Sequence, residues 1–383
     1  MLVSVVMPCL NEEEAIGLCI EKAQKVLQMN GIEGEVVVCD NGSTDRSAQI
    51  AKEKGAVVVH QPIRGYGNAY LKGFSAANGK YIVMIDADDT YDFNLIPVFL
   101  DYLQNRNCDF VTGSRYLKGG DKNITLLHRY LGNPALTGIL NFLFGTRYTD
   151  VYSGYRAFTQ EVYKKIQPVS PGMEFNLELA INAGLAGCRV AEIPIQLAPR
   201  KGKSKLRTMQ DGWRSLRMML LYCPSKVFVW PGVFLIASGL FFHLASLLGL
   251  IRFQGRALET VTSIFAMIFS VVGLQIFVFG LYAKTYSWSS RFDRRNLGLL
   301  RFYRYLSLEK GLLLGFLLLV FGGIMIGGLL VQWVELQFMP LPHPALASFA
   351  ATVMIYGFQI IFSSLFISAM MIRVVRKGLP LEN

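Results

Sequence analysis

The chain has 383 residues and a formal net charge of +11, and it is 52% hydrophobic with only 17% charged residues. That length exceeds one ordinary domain, and that composition excludes a wholly soluble protein of this size. No nucleic-acid-binding motif occurs, and much of the basic excess borders apolar runs, so the charge points to anionic lipid headgroups rather than nucleic acid.

The apolar residues are unevenly spread. Residues 1–225 read as an ordinary mixed sequence, whereas 226–372 are dominated by long uncharged runs. This predicts a soluble α/β domain followed by a membrane domain. Cys9, Cys19, Cys39, Cys108, Cys188 and Cys223 form no C-x-x-C pair and several fall in apolar patterns, as reduced buried thiols on a cytosolic face would. The four histidines lie far apart and suggest no zinc site.

Residues 2–7 are apolar, lack a basic lead and run into Asn11-Glu12-Glu13-Glu14, so they predict a first strand and not a signal peptide. Pro8 is expected to end that strand and Asn11 to cap the next helix, with acids in its first turn. Apolar residues then recur at helical spacing from Ile16 to Leu27. Strands are predicted over 35–39, 56–60, 81–86 and 110–112, with helices over 46–54 and 67–77 between them. Strands alternating with helices predict a parallel, doubly wound sheet.

The stretch Lys80-Tyr81-Ile82-Val83-Met84-Ile85-Asp86-Ala87-Asp88-Asp89-Thr90 ends an apolar strand in three acids within four residues. Ligands of open α/β sheets bind beyond the carboxyl ends of the strands. Mg²⁺ favours one or two carboxylates plus substrate phosphate oxygens. Asp86 and Asp88 alternate, so on an extended backbone they share a face and suit such a cation. A solvated acidic turn after a core strand would show the same letters. Three more polar clusters fall at the same sheet edge: Pro8-Cys9-Leu10-Asn11-Glu12, Asp40-Asn41-Gly42-Ser43, and Arg64-Gly65-Tyr66-Gly67-Asn68-Ala69. Each alone reads as turn chemistry. Together they favour a nucleotide-diphosphate pocket, with Gly65 and Gly67 letting backbone approach a ligand closely.

With these motifs (Pro8-x-Leu10-Asn11-Glu12, Asp40-Asn41-Gly42-Ser43-Thr44-Asp45, Arg64-Gly65-x-Gly67-x-Ala69 and Asp86-x-Asp88) the sequence resembles family 2 glycosyltransferases of the GT-A fold. Within them it is most similar to polyprenyl-phosphate sugar synthases such as the dolichyl-phosphate mannose and glucose synthases. The resemblance covers residues 1 to about 215. It implies a nucleotide-sugar site built from Pro8, Leu10, Asn11, Glu12, Asp40, Gly65, Asp86, Ala87, Asp88 and Arg200, with Mg²⁺ or Mn²⁺ on Asp86 and Asp88. It implies an acceptor-phosphate site of Arg115, Arg129, Ser153, Ser204 and Lys205, with Asp88 and Arg115 as catalytic residues. Two departures stand out. Asn41 replaces a second acid and would supply an amide. Thr90 stands where mannose synthases carry glutamine, which removes a third metal contact and favours UDP-glucose over GDP-mannose. A guanidinium forks onto phosphate oxygens; Arg156 is equally able to brace the fold. Glu174 is placed to face a sugar, and Glu178 is read as a structural acid.

Residues 1–205 are thus expected to form the GT-A domain and 206–225 an interfacial amphipathic helix. The membrane domain, 226–372, contains four runs long enough to span about 30 Å of hydrocarbon, near 227–251, 261–283, 311–331 and 345–372. A basic linker over 284–310, possessing the makings of a second interfacial helix, and a tail over 373–383 complete the chain. Lys and Arg cluster in that linker and tail, while 332–344 has none, which predicts cytoplasmic termini. Gly323-x-x-x-Gly327 permits close helix packing. His243 is ionisable within a span and is read as a neutral packing group. The predicted activity is inverting transfer of a hexose from a nucleotide sugar to a polyprenyl phosphate, by a protein able to self-associate. Two alternatives remain: a processive polysaccharide synthase, for which the expected Q-x-x-R-W segment is absent, and a transporter or flippase with a sensor domain.

Overall fold

Val3, Val5 and Met7 alternate with Ser4 and Val6, and all five are fully buried. A strand buried on both faces needs helices on both, and that is the architecture found. The computed structural model describes residues 2–117, 132–199, 208–254, 256–289, 307–339 and 343–375. Two compact units result, Met1–Met219 and Leu220–Asn383.

The first unit is built on strands β1 (Val3–Cys9), β2 (Gly34–Asp40), β3 (Val57–His60), β4 (Tyr81–Met84), β5 (Phe110–Ser114), β6 (Arg156–Thr159) and β7 (Val190–Pro194). They form one sheet in the order β3-β2-β1-β4-β6-β5-β7. Pairing is parallel except at β6, which runs antiparallel to both β4 and β5. The chain enters β6 where the other strands leave, so residues 153–155 arrive at the same edge as the strand ends. One face of the sheet packs on α1 (Ile16–Met29) and α4 (Ile96–Asn105), through Ile16, Ile20, Phe99 and Leu100. The other packs on α3 (Tyr66–Ala76) and α7 (Phe175–Leu185), through Tyr70, Phe74, Phe175 and Leu179.

Two local expectations are corrected. Pro8 does not end β1, which continues to Cys9 with Pro8 opposite Cys39. Val6 O accepts from Ile85 on the β4 side at 3.2 Å and Cys9 O from Asn41 on the β2 side at 2.8 Å. Pro8 therefore faces the β4 side, beyond the end of that strand, and its missing N–H leaves no ladder bond unmade. Nor does Asn11 cap α1. It sits at φ 52°, and its Oδ1 accepts from Thr44 N at 2.8 Å while its own N–H donates to Ser43 Oγ at 3.0 Å. Helix α1 begins only at Ile16, whose N–H donates to Glu12 O, and carries no acid in its first turn.

The six cysteines are free thiols. Burial pushes Cys9, Cys19 and Cys39 up to about 12, so they are inert at neutral pH.

Arg189, just before β7, clamps Asp109, just before β5, with Nε at 2.9 Å and Nη2 at 2.8 Å. These bonds lower the Asp109 pKa from its ordinary 3.8 to about 2. A carboxylate depressed on folding stabilises above its unfolded pKa and loses that contribution as pH falls through the folded value. The stability gap between wild type and Asp109→Asn is expected to narrow as pH falls from about 4 to 2. Thermal melts across that range check it, and a gap constant with pH overturns it.

Among the described residues, the second unit holds four helices long and apolar enough to cross a membrane: Ser225–Leu247, Glu259–Ser287, Leu308–Glu335 and Pro344–Met371. The second helix runs on to Ser289, past the expected end at 283, and the third is capped by Ser307, whose Oγ accepts from Lys310 N. Backbones approach closely at glycines: a Cβ on Gly239 would lie 2.5 Å from Ser270 N, and one on Gly322 3.1 Å from Met354 N. Gly323 and Gly327 face open space instead. His243 is buried and its Nε2 lies 3.1 Å from Thr352 Oγ1. That hydroxyl donates to Ser348 O, so it accepts the imidazole N–H, which suits a neutral packing role. Upstream, the predicted amphipathic segment contains a helix over Thr208–Tyr222, with Trp213 exposed and Met218 and Met219 buried.

Candidate active site

Because β1 to β5 are mutually parallel, the loops 9–12, 40–43, 60–65, 85–90 and 114–117 all leave the same edge of the sheet. This is the crevice where open α/β sheets bind ligands. At one corner, Asp40 ends β2. Its Oδ1 accepts from Ser43 N at 3.1 Å and its Oδ2 lies 3.2 Å from Nδ1 of the exposed His60. Pro8 and Leu10, which flank Cys9, the residue opposite Asp40 in the β1–β2 register, are half-buried, while Asn11 is exposed and Glu12 half-buried.

Asn41 is corrected. Both of its amide hydrogens go to backbone, to Gln61 O and Ile63 O at 2.9 Å each, and its Oδ1 accepts from Gly65 N at 2.7 Å. The amide is spent pinning loop 61–65 and does not reach a ligand. Gly65 sits at φ 149°, where a Cβ would come within 2.3 Å of Pro171 O, and a Cβ on Gly67 would come within 2.0 Å of Ser170 O. Here the two glycines are required by the 170–171 loop. That loop is held by Glu178, which accepts from Val169 N and Ser170 N, as a structural acid does. Glu174 is half-buried, and its Oε2 has no hydrogen-bond partner among the described residues.

The acidic loop leaves β4 at Met84, so its acids are not on the strand. The three carboxylates are each fixed differently. Asp86 Oδ1 accepts from the hydroxyls of Tyr66 and Tyr70, both at 2.9 Å. Asp88 Oδ1 accepts from Thr90 Oγ1 at 2.6 Å and Thr90 N at 3.2 Å. Asp89 takes φ 60° and pairs with Lys22 of α1, which ties the loop to the helix layer. Ala87, between them, is buried. The turn before β6 closes in from the far side. Gly154 N donates to Tyr91 Oη at 2.9 Å, and a Cβ on Gly154 would lie 2.6 Å from Asp86 Oδ2. Neither Tyr66 nor Tyr70 stood out in the sequence as a site residue, although both lie on one face of the helix that follows Gly65.

Arg115, just past β5, is only 14% exposed and forks onto the wholly buried Asp150, with Nε–Oδ2 at 2.6 Å and Nη2–Oδ1 at 2.8 Å. The carboxylate holds the guanidinium further above its already high pKa, so it is a fixed positive charge. Ser153 is fully buried and its Oγ accepts from Tyr155 N at 3.3 Å, which braces the turn rather than presenting a hydroxyl at the surface. Arg156 is buried too and donates to Ser153 O, Asn176 O and Val151 O; it braces the fold. Arg129, Arg200, Ser204, Lys205 and most of the basic linker lie outside the described residues.

No group of three or more His, Cys, Asp or Glu side chains that could hold a metal occurs among the described residues. Two carboxylates at a loop are what Mg²⁺ or Mn²⁺ needs when it arrives with phosphate oxygens, since Mg²⁺ is rarely held by an all-protein cage. The hard-oxygen donors Asp86 and Asp88 fit that use.

Residues 4–167 match the Glycosyl transferase family 2 model, and residues 281–371 match the Glycosyltransferase family 2 C-terminal transmembrane region. The chain belongs to glycosyl transferase family 2 and is an integral membrane protein. It is 37% identical over 371 residues to the low-salt glycan biosynthesis hexosyltransferase Agl6 of Haloferax volcanii, covering 96% of this chain and 88% of that protein. It is 34% identical over 209 residues to a dolichyl-phosphate hexose transferase of the same organism, covering 55% of this chain and 88% of that one. Among solved structures, it is similar to the glucosyl-3-phosphoglycerate synthase of Mycobacterium tuberculosis, with a TM-score of 0.47 and 22% identity over 58% of this chain and 79% of that one.

Proposed function

We propose that this protein transfers a hexose, with inversion, from a nucleotide sugar to a polyprenyl phosphate in the membrane. The observation that carries the reading is the meeting of Asp86, Asp88 and Asp40 at one sheet edge, in a chain that also has four apolar helices. The likeness to a dolichyl-phosphate hexose transferase supports the lipid acceptor. UDP-glucose ranks ahead of GDP-mannose as donor, because Thr90, whose hydroxyl donates to Asp88, stands where mannose synthases carry glutamine.

In this reading Asp40 accepts from the base, and Asp86 and Asp88 hold Mg²⁺ or Mn²⁺ against the diphosphate. The bound cation supplies Lewis-acid stabilisation of the leaving group's charge. A phosphate monoester acceptor is largely dianionic at neutral pH and already nucleophilic, so no side chain has to remove a proton from it. What remains for the chain is positioning of two anions and charge stabilisation. Arg115, fixed by Asp150, suits that task, and Arg129, Arg200, Ser204 and Lys205 are proposed to join it. The basic residues of 284–310 and of the tail support a cytoplasmic side for the catalytic unit and both termini, and self-association remains part of the proposal.

Detergent-solubilised protein with a panel of labelled nucleotide sugars, Mn²⁺ and polyprenyl phosphate tests the whole reading. Label is expected in an organic-extractable, acid-labile lipid product, most strongly from UDP-glucose. Label that stays in the aqueous phase as polymer favours a polysaccharide synthase and overturns the lipid acceptor.

A further inference from the structure

We propose that Tyr66 and Tyr70 are positioning residues that hold the Asp86 carboxylate in the orientation from which it receives the divalent cation. The inference rests on the reading of Asp86 as a cation ligand and adds the residues that prepare it. The two hydroxyls converge on one atom, Asp86 Oδ1, each at 2.9 Å. They come from successive turns of α3, and their rings meet edge to face at 5.0 Å. Tyr70 is fully buried and stacks on Phe175 at 5.8 Å, so its hydroxyl has one approach to the acid. Tyr66 Oη also accepts from Asn176 Nδ2 at 3.3 Å, which directs its own hydrogen toward Asp86.

A buried phenol needs only some acceptor, and a backbone carbonyl suffices. Tyr148 shows this, donating to Ala180 O at 3.1 Å. Two phenols spent on the same oxygen of a loop acid do more than satisfy themselves. They set the plane of a carboxylate that has no strand ladder to fix it, since β4 ends at Met84. Partners that orient a ligating carboxylate typically govern metal affinity by about 10–100-fold.

The test is Mn²⁺ binding by full-length protein in detergent with UDP present, followed by the electron paramagnetic resonance signal of free Mn²⁺. Tyr66→Phe and Tyr70→Phe keep the rings and are expected to weaken Mn²⁺ binding several-fold each, and together by about 10–100-fold. Raising Mn²⁺ is expected to recover transfer in each single variant, which a defect of packing alone would not allow. Wild type that binds Mn²⁺ while the variants bind it equally well overturns the inference and leaves the metal reading standing. Wild type that takes up no Mn²⁺ overturns the metal reading, and the inference with it. If the double variant does not fold, the two single variants decide by the same comparison.

Discussion

Asp88→Asn is expected to lower transfer by about 10³-fold, or about 4 kcal/mol of transition-state stabilisation, with the fold intact. The substitution is nearly isosteric. Its amide oxygen still accepts from Thr90 Oγ1 and Thr90 N, which now bind Asp88 Oδ1 at 2.6 and 3.2 Å, so the loop keeps its turn. What is lost, on the proposed reading, is one of the two negative charges that would hold the cation. The remaining acid, Asp86, already gives Oδ1 to two hydroxyls and cannot supply both anionic contacts alone. The check is initial rate against Mn²⁺ concentration, with the thermal midpoint measured beside it. A variant with full, Mn²⁺-dependent activity removes Asp88 from the site. One with a collapsed midpoint assigns it to the fold instead.

That acidic loop also shows where sequence reasoning reached and where it stopped. The alternation of strands and helices and the run from Tyr81 to Asp86 were enough to place Asp40, Asp86 and Asp88 at one edge, because parallel strands must all end on the same side. The mostly parallel sheet and the four apolar helices were legible for similar reasons of period and length. The antiparallel β6 was not, since Arg156–Thr159 is only four residues long and its pairing is decided by distant partners. Individual roles failed where a polar side chain had two possible customers. Asn41 reads as a ligand amide until its three hydrogen bonds to loop 61–65 are seen. Tyr66 and Tyr70 do not stand out as site residues because nothing in their spacing says that their hydroxyls meet at Asp86. Positive φ at Asn11 and Asp89 likewise follows from contacts made far along the chain, and a helix cap was the natural but mistaken reading of Asn11.

Asp150→Ala is expected to destabilise the first unit by about 3–5 kcal/mol, because it leaves a nearly buried guanidinium without its counter-charge. The Asp150 carboxylate has no exposed surface and serves four donors: Arg115 Nε, Nη2 and N, and Tyr152 N. A loss of that size lowers the thermal midpoint by on the order of 10 °C for a unit this large. Stability alone does not say whether Arg115 is there for the fold or for phosphate. The paired substitution Arg115→Met with Asp150→Leu separates the two, since replacing both members of a buried ion pair by apolar groups is often neutral or better. The double variant is expected to regain most of the lost midpoint and none of the lost transfer. The physical reason is that packing can replace a salt bridge inside the protein, but no methionine can hold two phosphates together against their repulsion. A double variant that recovers both midpoint and activity shows that the pair serves only the fold, and moves the anion-binding role to the other basic residues of the chain.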